Sequence, residues 1–253
     1  METVVPKISI VFRTLFRADI TTQWRNRKGL VISLLIPVMM VMLWKDMVKT
    51  AGGAWVLSNA LSYGLVALGL MGYSNTIARD RDKGIFQRLR VAPIPTWAIM
   101  CSRLLVQLLM IVIITLAIFI VGYDVDHISL SVSGYIITLF TSIIGAGFYL
   151  SVGQLIVALI KNPDTVNSTS RFVFIIFVVS GMVISLYDKA KKLPPEYATI
   201  FHWSPYGTIN TMMAAGMEPS TWNMHATNAS LATIGYIVVF LVIGIRKFTW
   251  NTK

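Results

Sequence analysis

Residues 79–83 form the densest group of charged side chains in the sequence and read Arg-Asp-Arg-Asp-Lys. The alternating signs favour ion pairing at a solvated surface, and another protein can supply the opposite charges. A glycine at position 84 then permits a turn. Ile85, Phe86 and Leu89 follow at helical spacing, and two prolines end that helix. The sequence predicts a short amphipathic helix here, although an ordinary basic loop touching lipid headgroups explains the charges equally well.

The residue patterns of catalysis are absent from the sequence. Its three histidines, at positions 127, 202 and 225, lie far apart, and the single cysteine, Cys101, excludes a cysteine-ligated metal cluster. No phosphate-binding loop of the form G-x-x-x-x-G-K-[ST] is present. We therefore predict that the chain is not an enzyme and holds no cofactor. Any energy for uphill work would enter from a second polypeptide. The alternative is a membrane enzyme that uses Asp188, Glu196 and His202.

Long apolar segments must position these charges. The chain is 55% hydrophobic and 13% charged, whereas a soluble domain carries about 25% charged residues. Because a spanning helix needs ~20 apolar residues, the uncharged runs predict an all-α membrane protein with six transmembrane helices. We place them at 29–48, 53–78, 102–122, 130–160, 171–187 and 228–246, within one domain over 29–253. The uncharged runs lack the ionisable groups that ion-driven carriers place inside the bilayer.

The basic residues predict which way the protein lies in the membrane. Seventeen of the 22 Lys and Arg residues fall on one side of the predicted spans. Because cytoplasmic loops collect Lys and Arg, we expect a multi-pass protein of the cell membrane with both termini and the loop 79–103 in the cytoplasm. The net charge of +11 then serves orientation and attraction to anionic membrane lipids. No nucleic-acid partner is expected.

Residues 1–28 form a separate region before the first span. Within 8–23, one helical face carries Ile8, Val11, Phe12, Leu15, Phe16 and Ile20, and Arg13 and Arg17 lie opposite. A helix with this division lies in the plane of the membrane interface. The sequence therefore predicts an amino-terminal amphipathic interfacial helix.

The charged run resembles the cytoplasmic loop of ABC type-2 transporter permeases, the membrane subunits of ATP-binding-cassette exporters. That loop typically reads Glu-Arg-Glu-x-Gly-Thr-x-Glu-x-Leu, with a proline-containing segment after it. Residues 80–89 read Asp-Arg-Asp-Lys-Gly-Ile-Phe-Gln-Arg-Leu, which keeps the acid–base–acid frame, the glycine and the leucine. The amphipathic segment is similar to the family's helix before span one. Leu193-Pro194 and Ser204-Pro205-Tyr206 resemble the family's elements between spans five and six, where short helices lie at the outer face.

The resemblance implies a half-transporter that works with two ABC ATPase subunits. These would bind the ATP and Mg and would pair with two copies of this chain, or with this chain and a sister permease. The implied ATPase-coupling residues are Asp80, Arg81, Asp82, Lys83, Gly84, Phe86, Arg88 and Leu89 of a coupling helix, with Arg13 and Arg17. Spans one, two and five would line the dimer axis. An adaptable apolar wall there would use Met39, Met40, Met42, Phe172, Phe174 and Phe177, although packing or lipid-facing roles also fit these side chains.

The cargo is constrained by the segment that enters span one. Residues 23–28 read Gln-Trp-Arg-Asn-Arg-Lys, which looks more like the drug and lipid exporters than the polysaccharide exporters of the family. Uncharged spans also suit a hydrophobic or amphiphilic cargo. The resemblance therefore implies export of a drug, an antimicrobial peptide or a lipid-like molecule, as in multidrug efflux. The alternatives are a polysaccharide or glycolipid exporter permease, or a channel or assembly scaffold that needs no ATPase.

Overall fold

The computed structural model describes residues 8–25, 27–85, 96–190 and 195–247, and this part of the chain contains helices and no strand. We number the main helices α1 to α9 in chain order. They are α1 Ile8–Arg25, α2 Arg27–Leu43, α3 Gly53–Asp82, α4 Thr96–Asp126, α5 Val132–Leu159, α6 Pro163–Ala190, α7 Pro195–His202, α8 Pro205–Met217 and α9 Met224–Lys247. Short helical turns at Lys45–Met47, Val48–Ala51 and Pro219–Thr221 connect them.

Five of these helices are long and apolar enough to cross a membrane, namely α3, α4, α5, α6 and α9. They coincide with the second to sixth predicted spans. The first predicted span corresponds to α2, whose apolar part, Leu34–Leu43, is shorter than a spanning helix needs. The six-span arrangement therefore stays a prediction, and it depends on α2.

The charged run belongs to α3 and not to a loop as the sequence predicted. We placed the end of the second span at residue 78, but the helix continues to Asp82. Arg79, Asp80, Arg81 and Asp82 are its last turn. This end of the bundle, where α3 ends and α4 begins, is called the loop end below. The opposite end, with residues 44–52, 127–131 and 218–223, is called the far end.

Helix α3 lies at the centre of the bundle. Its most apolar window is 83% buried, against 17% for α9. A π-helical segment, Val66–Gly72, interrupts α3 and packs against α5. A Cβ atom added at Gly69 would lie 2.8 Å from Cβ of Tyr149, so glycine permits this close approach. Polar bonds join the same helices, since the Tyr73 hydroxyl donates to Gln154 Oε1 at 2.8 Å.

Helix α8 is buried between the long helices and contacts α3, α5 and α9. It begins at Pro205, and the Ser204 side chain caps it by accepting a hydrogen bond from the Gly207 amide at 3.2 Å. The sequence predicted short helices lying at the outer face between the last two spans. Helices α7 and α8 occur in that region, and α8 penetrates the bundle because its small residues allow close packing.

Candidate functional site

Polar side chains from three helices meet at the loop end, and we call this group the polar junction. Its members are Asp19 of α1, Asp80 and Arg81 of α3, and Ser102 and Arg103 of α4. Helix α1 packs along α4. The Ser102 hydroxyl donates to Asp19 Oδ2 at 2.6 Å and fastens α1 to α4. Burial raises the pKa of Asp19, while the bond from Ser102 and the charge of Arg103 act in the opposite direction.

An ion pair joins α3 to α4 within the polar junction. Arg103 Nη1 donates to Asp80 Oδ2, and both side chains are less than one-fifth exposed. Protection from water strengthens such a pair relative to an exposed one. A cavity of about 240 Å³ lies beside the pair, between α1, α3 and α4. Gln107 lines this cavity, and its Oε1 atom has no hydrogen-bond partner among the described residues.

Arg81 joins α3 to the carboxyl end of α5. Its side chain is only 1% exposed. The guanidinium donates to the backbone carbonyl oxygens of Val157 at 2.7 Å, Ile160 at 2.6 Å and Lys161 at 3.0 Å. The last carbonyls of a helix have no intrahelical partner and carry partial negative charge, which an arginine fork satisfies. Arg81 therefore fixes the end of α5 and the turn that leads into α6.

The other residues predicted for ATPase coupling fall into three groups. Asp82 and Lys83 are exposed just beyond the buried arginine, and Gly84 has a φ of +65°, a backbone conformation that favours glycine. Arg13 and Arg17 are exposed on α1. The predicted coupling helix, with Phe86, Arg88 and Leu89, lies outside the described residues. Their coupling roles stay predictions.

Three members of the polar junction were not identified from sequence as site residues. Arg103 was counted only toward the orientation of the chain, and Ser102 carried no motif. Asp19 could have been noticed, since it is the single acidic residue of α1. Its partners lie more than 80 positions away, and a separation of that length carries no information on distance.

The residues predicted to line a substrate path are split between two environments. Met39, Met42 and Phe172 are exposed on the surface of this chain, with exposed fractions near one-half or above. Met40 and Phe177 instead pack against an aromatic cluster formed by Tyr63 and Tyr206, whose ring centroids are 5.8 Å apart. Phe174 is half-buried against the main core. The structure therefore brings Met40 and Phe177 to one cluster and leaves the others apart from it.

Metal chemistry has no candidate centre in the described part of the chain, where no group of three or more His, Cys, Asp or Glu residues could hold an ion.

The fold is that of a helical membrane protein, and its most connected polar group lies at one end of the bundle. The chain belongs to the ABC-2 transporter family, because the model of the ABC-2 family transporter protein matches residues 46–246. The match includes the whole of α3 to α8 but not α1. No curated protein matches the chain.

Family membership confirms the resemblance drawn from residues 80–89. It makes the chain a membrane component of a transport system, and the family as a whole works with ABC ATPases.

Proposed function

We propose that the chain is the membrane subunit of an ATP-driven exporter and that its ATPase partner binds at the loop end. Two ATPase subunits would hold ATP and Mg, and two permease chains would form the path, as a homodimer or with a sister permease. The complex would lie in the cell membrane with both termini of this chain in the cytoplasm. The family match and the basic residues of the loop end support this proposal.

The polar junction is the observation that carries the proposal. Residues 83–96 connect α3 to α4, and an ATPase bound at the loop end would push on this connection. Both flanking helices are bonded to other helices through their side chains. The Asp80–Arg103 pair links α3 to α4, and the Ser102–Asp19 bond adds α1. Arg81 then links α3 to α5. Force applied at the connection would therefore move four helices together instead of bending one.

The proposed cargo is a hydrophobic or amphiphilic molecule such as a drug, an antimicrobial peptide or a lipid-like compound. Methionine and aromatic side chains on α2 and α6 support this assignment because they adapt to apolar ligands of different shapes. Met40 and Phe177 also pack against Tyr63 and Tyr206, which are buried within this chain.

A charge-exchange experiment tests the coupling role. The chain is purified from its native membrane in mild detergent, with any ATPase that accompanies it, and is reconstituted into vesicles. Asp80→Arg and Arg103→Asp each break the ion pair, so we expect each to lower ATP-driven export of a fluorescent amphiphile roughly tenfold. The double exchange restores opposite charges and should recover part of the activity.

Asp164→Arg is the matched control, since Asp164 is an exposed acid in the first turn of α6 at the same end of the bundle and is not among the predicted coupling residues. It should change export less than twofold if the ion pair itself matters. Equal losses in all three single variants would show a general charge effect and would contradict the proposal. Purification without any ATPase, together with export against a gradient, would exclude the proposed energy source.

A further inference from the structure

A cavity of about 410 Å³ opens at the far end of the bundle, away from the polar junction. Its walls are the amino end of α3, the end of α7, one face of α8 and the start of α9. Small residues, among them Gly53, Ala54 and Ala214, keep the space open. The volume is suited to a small organic molecule or to the headgroup of a larger one.

One buried hydrogen-bond acceptor of this far-end cavity lacks a donor. Asn210 lines it and is only 8% exposed, yet its Oδ1 atom has no partner among the described residues. A buried acceptor without a donor is energetically unfavourable, so a ligand that donates a hydrogen bond here is favoured. The side chain of Asn223 is already engaged, because its Oδ1 accepts from the Ala226 amide at 3.0 Å.

The formal charge of the cavity lining is negative. Glu218 contributes the single carboxylate among the described lining residues, and no Lys or Arg is among them. The imidazoles of His202 and His225 also line the cavity. Glu218 is exposed and Asn210 is buried, so the two lining residues differ in their access to solvent. Trp55 forms part of the wall, and an indole face attracts cations more strongly than any other aromatic side chain.

A neighbouring cavity of about 650 Å³ shares Gly53, Ala54 and Glu218 with the first cavity. Asp126 lines it, and neither carboxylate oxygen of Asp126 has a hydrogen-bond partner among the described residues. Glu218 therefore lines both the cavity that contains Asn210 and the cavity that contains Asp126.

One feature of the wall favours an anion instead. The amino end of α3 begins at Gly53, and Gly52 supplies no side-chain cap. A helix amino end carries about half a positive charge, whose effect falls off within the first turn. The Glu218 carboxylate carries a full formal negative charge, and the Asn210 acceptor and the Trp55 face also attract a positively charged group. The balance of these groups favours a cation.

We infer that the far-end cavity binds a primary ammonium group carried on an apolar body. The ammonium donates to Asn210 and Glu218 and lies against Trp55, while the apolar body contacts Ile184 and the alanines of α8. The site adds to the proposed function by selecting amine-bearing amphiphiles, and this role rests on that function. Binding itself does not, because it needs neither an ATPase nor transport.

Calorimetric titration of the full chain in lipid nanodiscs tests the inference with three probes that share a phenyl group and a short alkyl chain. They are 2-phenylethylammonium, neutral 2-phenylethanol and anionic 3-phenylpropionate. We expect saturable binding of the ammonium probe and affinities at least tenfold weaker for the alcohol and the anion. Equal affinities for the ammonium and the alcohol would overturn the inference, as would tighter binding of the anion.

Variants locate the site. Glu218→Gln should weaken binding of the ammonium probe roughly fivefold or more and leave binding of the alcohol unchanged. Asn210→Leu should weaken binding of both probes, because both can donate a hydrogen bond to Asn210 Oδ1. Asp124→Asn is the matched control, because Asp124 is an exposed acid near the far end that lines neither cavity. If Glu218→Gln and Asp124→Asn have the same effect, the attraction is a general surface charge and the proposed site is excluded. Because Glu218 is exposed, its variant is expected to fold even if Asn210→Leu does not.

Discussion

A single guanidinium, that of Arg81, holds together parts of the chain that are 76 to 80 positions apart. A buried cation is costly when it lacks partners. Three carbonyl oxygens at a helix carboxyl end offset this cost, because they are themselves unsatisfied and partly negative. Arg81 therefore links α3 to α5, and its buried side chain does not present a positive charge to a partner protein. Any coupling role of Arg81 would act through α5.

Replacing Arg81 tests this bond. Arg81→Lys keeps the charge but loses the planar fork that reaches several oxygens at once, and Arg81→Gln also loses the charge. We expect losses of about 2 and 3 kcal/mol in the free energy of unfolding. Unfolding in detergent, followed by circular dichroism, measures them. Arg79→Gln is the control, because Arg79 is exposed in the same helical turn and should change stability by less than about 0.5 kcal/mol. Equal stability of the Arg79 and Arg81 variants would contradict the assignment.

Residue type was predictable at this scale, but partners were not. The alternating charges suggested a surface that could pair with another protein, and the family resemblance implied coupling roles for Asp80 and Arg81 that stay predictions. The sequence did not distinguish Asp80, which pairs with Arg103, from Arg81, which is buried. Backbone carbonyls accept the bonds of Arg81, and backbone acceptors leave no signal in a sequence. The charge pattern of residues 79–83 is the same whether a side chain points into the bundle or away from it.

At the scale of elements, α1 is attached by an acid whose ionisation opposes its docking. Burial raises the pKa of Asp19 above the ordinary value, 3.8. The docked state therefore binds the proton more tightly than the undocked state does. The stabilising contribution is full at low pH and is lost as pH rises through the raised pKa.

Hydrogen exchange measures this pH dependence. After correction for intrinsic rates, we expect amides of α1 to exchange more slowly near pH 4 than near pH 7. Asp19→Asn resembles the neutral acid and should exchange alike at both values. Asp82→Asn, which changes an exposed acid at the same end, should keep the wild-type dependence. A dependence that survives in the Asp19 variant would show that another group controls docking.

The π-helical segment of α3 depends on glycine where it crosses α5. In Gly69→Ala the new methyl group would lie 2.8 Å from Cβ of Tyr149 and 3.4 Å from the Leu150 amide nitrogen. We expect a loss of about 1–3 kcal/mol in unfolding free energy, since the two helices must separate. Gly235→Ala on α9 has no atom within 4 Å and should be neutral or slightly stabilising. Thermal unfolding of both variants makes the comparison, and equal stabilities would show that the contact yields easily.

Hydrophobic runs predicted the long helices well, because length and lack of charge suffice to identify a spanning segment. The place of α8 was not predicted from these runs: the resemblance of Ser204-Pro205-Tyr206 to the family's elements implied a short helix at the outer face. In the structure α8 packs against α3, α5 and α9, and Thr208 is buried there. In the structure the Thr233 hydroxyl donates to that of Thr208 at 3.1 Å, so the polar group is satisfied inside the bundle. Only the fold supplies that partner.

At the scale of the whole molecule, burial is uneven. Helices α3 and α5 are mostly enclosed, while the apolar windows of α6 and α9 are 22% and 17% buried. Exposed apolar side chains on α2, α6 and α9 must therefore contact lipid or another subunit. The sequence alone gave no ranking of these faces, because an uncharged helix has the same composition whether lipid or protein covers it.

Cysteine cross-linking in membranes distinguishes helix faces that contact lipid from faces that contact another subunit. In a Cys101→Ser background, Met39→Cys on α2 and Phe172→Cys on α6 test the faces that the family resemblance assigns to the dimer axis. Val238→Cys on α9 is the control, with an exposed fraction of 55% against 47% for Met39 and 64% for Phe172. Positions near a twofold axis meet their own copies, and a disulfide forms when the two Cα atoms come within roughly 7 Å. We expect mild oxidation to double the mass of the first two variants only. Cross-linking of the Val238 variant alone would show that α9, and not α2 and α6, lies at the dimer axis. Cross-linking of the Met39 or Phe172 variant to a different polypeptide would identify a sister permease instead of a second copy.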